Sequence, residues 1–247
     1  MPKRKARNKS ALLLRSNGPF PLYLGASERT VPSGAVRTKR WTMDPLAQPL
    51  SLPCGATLPN RICKAAMTEG LADEYNRATE AHVNLYRAWS KGGAGLLITG
   101  NIMVDRRYME RAGNVCIDGK QTVDQLARLR AYAAAGTSSK NHCWAQIGHA
   151  GRQTDFKINK SGVGPSAIKS NPLVGTGMSA LLPFGAPREM TISEIEDAVE
   201  RVATCAGVCK DVGFSGVELH AAHGFLVSSF LSPLSNKRLD KYGGSLV

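Results

Sequence analysis

The stretch that decides the fold is "GVELHAAHGFLVSSFLSPLSNKRLDKYGGS", residues 216–245. Its opening predicts a β-strand over 216–222 that carries His220 and delivers His223, Gly224 and Phe225 to the loop beyond. Two imidazoles three residues apart permit three chemistries: metal ligation, paired hydrogen-bond donation to a substrate oxygen, or packing at a strand end. A zinc or iron site normally needs a third ligand and often a carboxylate. Glu218 alternates with His220 along the strand, yet no second cluster of histidines and acids appears. The motif alone leaves the choice open, with metal the least supported.

Working back along the chain, short apolar runs alternate with amphipathic segments from residue 60 onward, the βαβα pattern of a parallel sheet. Further strands are expected at 61–67, 95–104 and 142–148. A helix over 79–91 puts His82, Leu85, Tyr86 and Trp89 on one face and stops at Gly92-Gly93. A second, over 123–135, starts behind Thr122 with Gln125 completing a capping box. A third is expected behind Ser193 and Glu196, burying Ile195, Val199, Val202, Ala206 and Cys209. The Gly/Pro/Ser-rich loop 150–190 is too long for a mere connection and reads as a lid or dimer arm. Each strand runs into a loop of polar residues and glycine, and in parallel α/β folds ligands bind at that carboxyl edge. His220 and His223 belong to it.

Taken with "AQIGHAGRQ" (145–153) and "LPNRICKAAMTEG" (58–70), the opening string resembles the Old Yellow Enzyme family of FMN-dependent NAD(P)H oxidoreductases, over residues 46–246. The resemblance implies an α/β fold, a TIM (β/α)8-type barrel with FMN across the carboxyl ends of its strands. It implies that Ala65, Ala66, Met67 and Thr68 run along the isoalloxazine ring, with the Thr68 hydroxyl at its O4 and N5 edge. Gly100 would let the backbone approach the ring, and the Gln146 carboxamide would serve the O2 and N3 side. His149 and Arg152, from the same motif, would shape the loop.

By the same resemblance, His220 and His223 both donate to the carbonyl or nitro oxygen of a substrate stacked on the flavin. They would stabilise the enolate-like charge that grows as hydride leaves flavin N5 for the β-carbon. Phe225 stands where the family usually has a tyrosine whose phenol protonates the α-carbon; the ring is kept and the proton is lost. The implied activity is reduction of the activated C=C of a small enone-like substrate, an α,β-unsaturated carbonyl compound, with NADH or NADPH as electron donor.

The charge of the chain is uneven. The net charge is +13, but residues 1–42 hold ten lysines and arginines against one acid, Glu28, a net +9. Residues 43–247 keep 22 basic and 18 acidic groups, the +4 of an ordinary metabolic enzyme. Residues 1–42 are expected to be a disordered basic tail or extension, and 43–247 the amino-terminal part of an FMN-binding barrel. The tail's densest basic run, "KRKARNK" (3–9), has no aromatics interleaved with the charges, which argues against nucleic-acid binding by that run. It leaves organelle targeting open beside a cytoplasmic location. The longest apolar run, 93–104, is far short of the roughly 20 residues of a membrane span. Six cysteines without a CxxC pair read as reduced core residues.

Only about four β/α units precede Val247 where a barrel needs eight. The reading therefore expects a truncated half-barrel, completed by a homo-oligomer or by a missing carboxyl-terminal half. It carries three function classes: an FMN-dependent ene-reductase, a non-catalytic remnant or interaction module, and a basic-tail nucleic-acid binder.

Overall fold

Asn60 shows how the first strand is set in place. Its side chain accepts from the backbone N–H of Ile62 and of Gly95, at 3.0 and 2.8 Å, and donates to Gly93 O at 2.9 Å. This pins the start of β3 (Cys63–Lys64) beside β4 (Leu96–Ile98), the first parallel pair of the central sheet. The computed structural model describes residues 44–170 and 184–244. The expectations for the basic tail and for the middle of the 150–190 loop lie outside them.

Ahead of the sheet comes a hairpin, β1 (Leu50–Ser51) with β2 (Thr57–Leu58). Next in the sheet are β5 (Ile102–Met103), β6 (His142–Gly148) and β9 (Gly216–Leu219). All neighbours are parallel: β3 pairs β4, β4 and β5 pair β6 in succession, and β9 pairs β6 on its other side. Chain order and spatial order therefore coincide, as in the consecutive strands of a (β/α) barrel. Helices α1 (Glu80–Lys91), α2 (Val123–Gly136) and α3 (Ile192–Val212) follow the strands. They bury Leu97, Ala145 and Ile147 of the sheet under Tyr86, Tyr132, Cys205 and Cys209. Tyr86 meets Tyr132 edge-on at 4.7 Å.

Local chemistry explains where the expected elements shift. The strand predicted over 95–104 is two strands, because the Gly100 N–H is taken by the Glu69 carboxylate at 2.8 Å, and Thr99 Oγ1 accepts from Gln146 N at 2.9 Å. These bonds bend the chain at 99–101 before β5 resumes against β6. The cap of α3 is Thr191 with Glu194, not Ser193 with Glu196. Thr191 N donates to Glu194 Oε2 at 2.9 Å, and Arg188 holds the same carboxylate at 2.6 Å. The buried stripe, set by packing against the sheet and α2, is Ile195, Ala198, Cys205, Cys209 and Val212, and Val199 is 62% exposed. The end of α3 follows the rule for helix stops, with Gly213 in the left-handed region at φ 100°. The capping box of Thr122 and Gln125 forms as expected. All six cysteines are free thiols, four of them buried, while Cys54 and Cys63 are exposed.

Two short elements flank the loop after β6. β7 (Val163–Gly164) pairs in parallel with β8 (Arg188–Glu189), and α4 (Leu226–Leu231) follows the histidine loop. The segment after α4 is clamped by Arg238, which is buried. Its guanidinium donates to Pro165 O and Met190 O and pairs with Asp240 and Glu189. No helix among the described residues is long and apolar enough to cross a membrane.

Candidate active site

The inward side chains of the sheet change character along the strands. At the amino end, Leu58, Leu96 and Ile98 form an apolar cluster with Trp144 against the hairpin. One step further along β6, Gln146 faces Glu218 of β9 in register and donates to its Oε1 at 2.6 Å. From there a cavity of about 790 Å³ opens at the carboxyl ends of the strands. Its wall includes Ala65, Ala66, Met67, Thr68, Gln146, His220, His223 and Phe225. Eight of the nine predicted site residues thus share one cavity, although they come from three separate segments of the chain.

Gly100 is the exception. It lies behind the wall, where a Cβ would run into the Glu69 carboxylate and the Met67 carbonyl. The glycine is required by Glu69, and nothing in the packing reserves its space for a ligand. Glu69 is also bonded to the hydroxyls of Tyr86 and Tyr132, two phenols whose pKa burial raises above the ordinary range.

His220 is buried, and its Nδ1 accepts from Ala222 N at 3.3 Å. That bond leaves the proton on Nε2, so the free nitrogen is a donor. Burial first, then the neighbouring His223, depresses its pKa. The donor is therefore a neutral imidazole at pH 7. His223 stands edge-on to it at 5.2 Å, in the left-handed region at φ 59°. Gln153 fixes that turn by donating to His223 O at 2.5 Å. Phe225 packs edge-on to His220 at 4.7 Å and joins Met103, Met109, Cys116 and Ala150 in an apolar cluster. It holds the imidazole in place and offers no proton.

His149 is buried and stacks on Tyr108 at 5.2 Å. Its pKa is pushed down to about 4, by burial above all. It is a structural histidine, accepting from Gly151 N at 3.0 Å. Arg152 reaches the carbonyls of Gly224 and Ile168 at 3.5 and 3.4 Å and ties the histidine loop to the 150–170 segment.

Four polar members of the wall lie outside the predicted site set: Gln153, which fixes the His223 turn, and Glu218, Asn101 and Glu110. Glu218 would have been found from the strand register, since it faces Gln146. Asn101 lines the cavity, buried, with its Oδ1 lacking a hydrogen-bond partner among the described residues. Glu110 arrives from the loop between β5 and α2, a segment with no periodic signal, and accepts from Thr68 Oγ1 at 3.0 Å. A separate groove of about 470 Å³ lies between α3, β9 and α4. It is lined mainly by apolar side chains, among them Val199, Leu219, Val227, Phe230 and Leu231, with His149, Asn236 and Lys241 also at its wall.

A parallel α/β sheet gathering two imidazoles, a carboxamide and an apolar wall at its carboxyl ends defines a barrel-type site for a small organic molecule. The sequence pattern of the NADH:flavin oxidoreductase / NADH oxidase family matches residues 45–247, and the chain belongs to that family, the Old Yellow Enzyme type. It is 39% identical over 207 residues to NADH-dependent flavin oxidoreductase iliE of Neonectria sp. (strain DH2), covering 80% of this chain and 27% of that protein. It is 37% identical over 206 residues to iliE of Hypocrea jecorina (strain QM6a), covering 80% of this chain and 51% of that protein. Among solved structures, morphinone reductase superposes with a TM-score of 0.70 at 26% identity, over 81% of this chain and 54% of the other. The chain thus spans about half, or less, of the length of these relatives.

Proposed function

We propose that residues 43–247 form the amino-terminal part of an FMN-binding barrel that transfers hydride from reduced flavin to the activated C=C of an α,β-unsaturated carbonyl compound, with NADH or NADPH as electron donor. The observation that carries this reading is the shared cavity of Ala65–Thr68, Gln146, His220 and His223. Its polar atoms fit an isoalloxazine. Gln146 gives one N–H to Glu218 and keeps an acceptor oxygen for a ring N–H, and the buried Asn101 carboxamide lacks a partner for its oxygen. Left unsatisfied, the buried Asn101 oxygen costs about 1–3 kcal/mol. Ala65, Ala66 and Met67 supply the apolar wall for the ring.

Bound FMN would supply the hydride. The chain's own residues would do the rest. His220 Nε2–H and His223 hold the substrate oxygen, and because His220 is neutral it stabilises developing negative charge without giving up a proton. Phe225 keeps His220 in register but cannot protonate the α-carbon, so water or another group must do so. Family membership favours this reading over a non-catalytic remnant. The natural setting we propose is the cytoplasm.

The test is spectroscopic and kinetic. The chain alone should bind FMN weakly or not at all; completed by the carboxyl-terminal half of a related enzyme, in trans or by fusion, it should show bound-flavin absorbance that NADH or NADPH bleaches anaerobically and an enone restores. Bleaching without recovery on an enone would keep the flavin reading and discard the substrate class.

A further inference from the structure

The two imidazoles of the cavity are held by different means. His220 is buried at the strand exit, where its backbone N–H donates to Ile147 O at 2.9 Å and Phe225 packs on its ring. His223 is exposed and stands at φ 59°, a left-handed turn that a residue with a β-carbon adopts only when something holds it there. The hold comes from the turn after β6. Gln153, itself buried, donates from Nε2 to His223 O at 2.5 Å. Its neighbour Arg152 donates to Gly224 O at 3.5 Å, and Leu226 N donates to His149 O at 3.1 Å. Gly224 makes room for this clamp: it is left-handed too, at φ 82°, and a Cβ there would lie 2.6 Å from Gln153 Nε2.

We propose that Gln153 is the positioning residue of the imidazole pair: its N–H fixes the His223 carbonyl, and with it the turn from which the His223 ring meets His220 edge-on at 5.2 Å. A carbonyl oxygen only accepts, so the contact needs a donor on residue 153. Without one the turn is free to leave the left-handed region, and the exposed His223 swings off its partner. The consequence for catalysis rests on the reading given above, in which both imidazoles hold the substrate oxygen. A substrate that meets the loop only partly in the competent turn must first select it, so its apparent affinity falls by the competent fraction. Bound substrate restores the geometry, and the hydride step then proceeds as before.

With five histidines, the full chain is open to selective histidine labelling. The nuclear Overhauser contact between the His220 and His223 rings should be present in the wild type, be lost in Gln153→Met, which keeps the length and drops the donor, and return in Gln153→Lys, which supplies one. In the enzyme completed by fusion, Gln153→Met should raise KM for a neutral enone by about three- to tenfold, what one net hydrogen bond contributes, and leave kcat nearly as it was. His223→Gly removes the imidazole and suits a left-handed turn. In that background Gln153→Met should have no further effect. A general loss of local structure would instead lower kcat and flavin content together and act equally in both backgrounds. A ring contact that persists in Gln153→Met, or an equal rise in KM with and without His223, overturns the role of Gln153 and leaves the proposed reaction standing. If the completed enzyme reduces no enone, the reaction reading fails, and the ring contact still decides whether Gln153 holds the pair.

Discussion

Two register pairs on the same two strands divide the molecule. Trp144 lies opposite Gly216, and two residues on, Gln146 lies opposite Glu218. The first pair is a large ring over a glycine: a Cβ at Gly216 would sit 2.6 Å from the Trp144 indole, so the interior closes at the amino end of the sheet. The second is a carboxamide bonded to a carboxylate, at the edge of an open cavity. Identical backbone geometry supports both. The lower pair is spent on packing and the upper borders the cavity, and the boundary falls within one pleat of β6.

If that division is right, changes above it should alter chemistry and leave stability alone. The largest effect is expected from Phe225→Tyr in the flavin-loaded protein. Restoring a phenol beside His220 should speed reoxidation by an enone by about 10² to 10⁴, the span of a positioned general acid. Flavin reduction by NAD(P)H should hardly change, and stopped-flow traces of the two half-reactions separate them. Equal rates in both proteins would mean that another proton source already serves the site.

Next comes His220→Ala, which removes a donor to the developing oxyanion and should lower enone turnover by about 10² to 10³. FMN affinity should persist. Wild-type turnover in this variant would remove His220 from the reacting centre and blur the line between the two pairs.

A third measurement concerns pH. His149 has its pKa pushed down to about 4 by burial, against 6.5 for a free imidazole. The unfolded chain therefore binds the extra proton first as pH falls. The stability gained from keeping His149 neutral is complete above pH 6.5 and lost as pH drops toward 4, by at most about 3 kcal/mol. Urea unfolding at pH 7 and pH 5 should show the loss. His149→Asn, which keeps an acceptor for the Gly151 N–H, should flatten it. An unaltered slope would place the acid sensitivity elsewhere.

The smallest effect, and the sharpest for the comparison, is Gly216→Ala. The methyl would press on Trp144 and destabilise the fold by about 1–3 kcal/mol, the usual cost of overpacking. Ligand affinity at the upper pair should stay as it was. A loss of affinity comparable to that of His220→Ala would show that the two ends of the sheet are not independent.

Much of this was legible in the residues. The parallel order of the strands, the helix starts at Thr122 and the stop at Gly92 follow from periodicity and capping chemistry, which act over a few neighbouring residues. The His220–His223 pair and Gln146 were legible because each sits at a fixed offset in a motif. Where two local rules competed, the sequence could not choose. Thr191 and Ser193 both satisfy the capping pattern, and only the Arg188 contact to Glu194 settles the frame of α3.

By itself, then, the sequence determined the alternation of elements, the edge on which chemistry collects and the family to which the chain belongs. Tertiary structure alone decided that Gly100 serves Glu69, that Gln146 is bonded to Glu218, and that Glu110 reaches Thr68 from 42 residues away. The physical reason is range. Propensity and periodicity are set by near neighbours, whereas hydrogen bonds between segments distant in the chain exist only once packing has fixed which loop crosses which strand end.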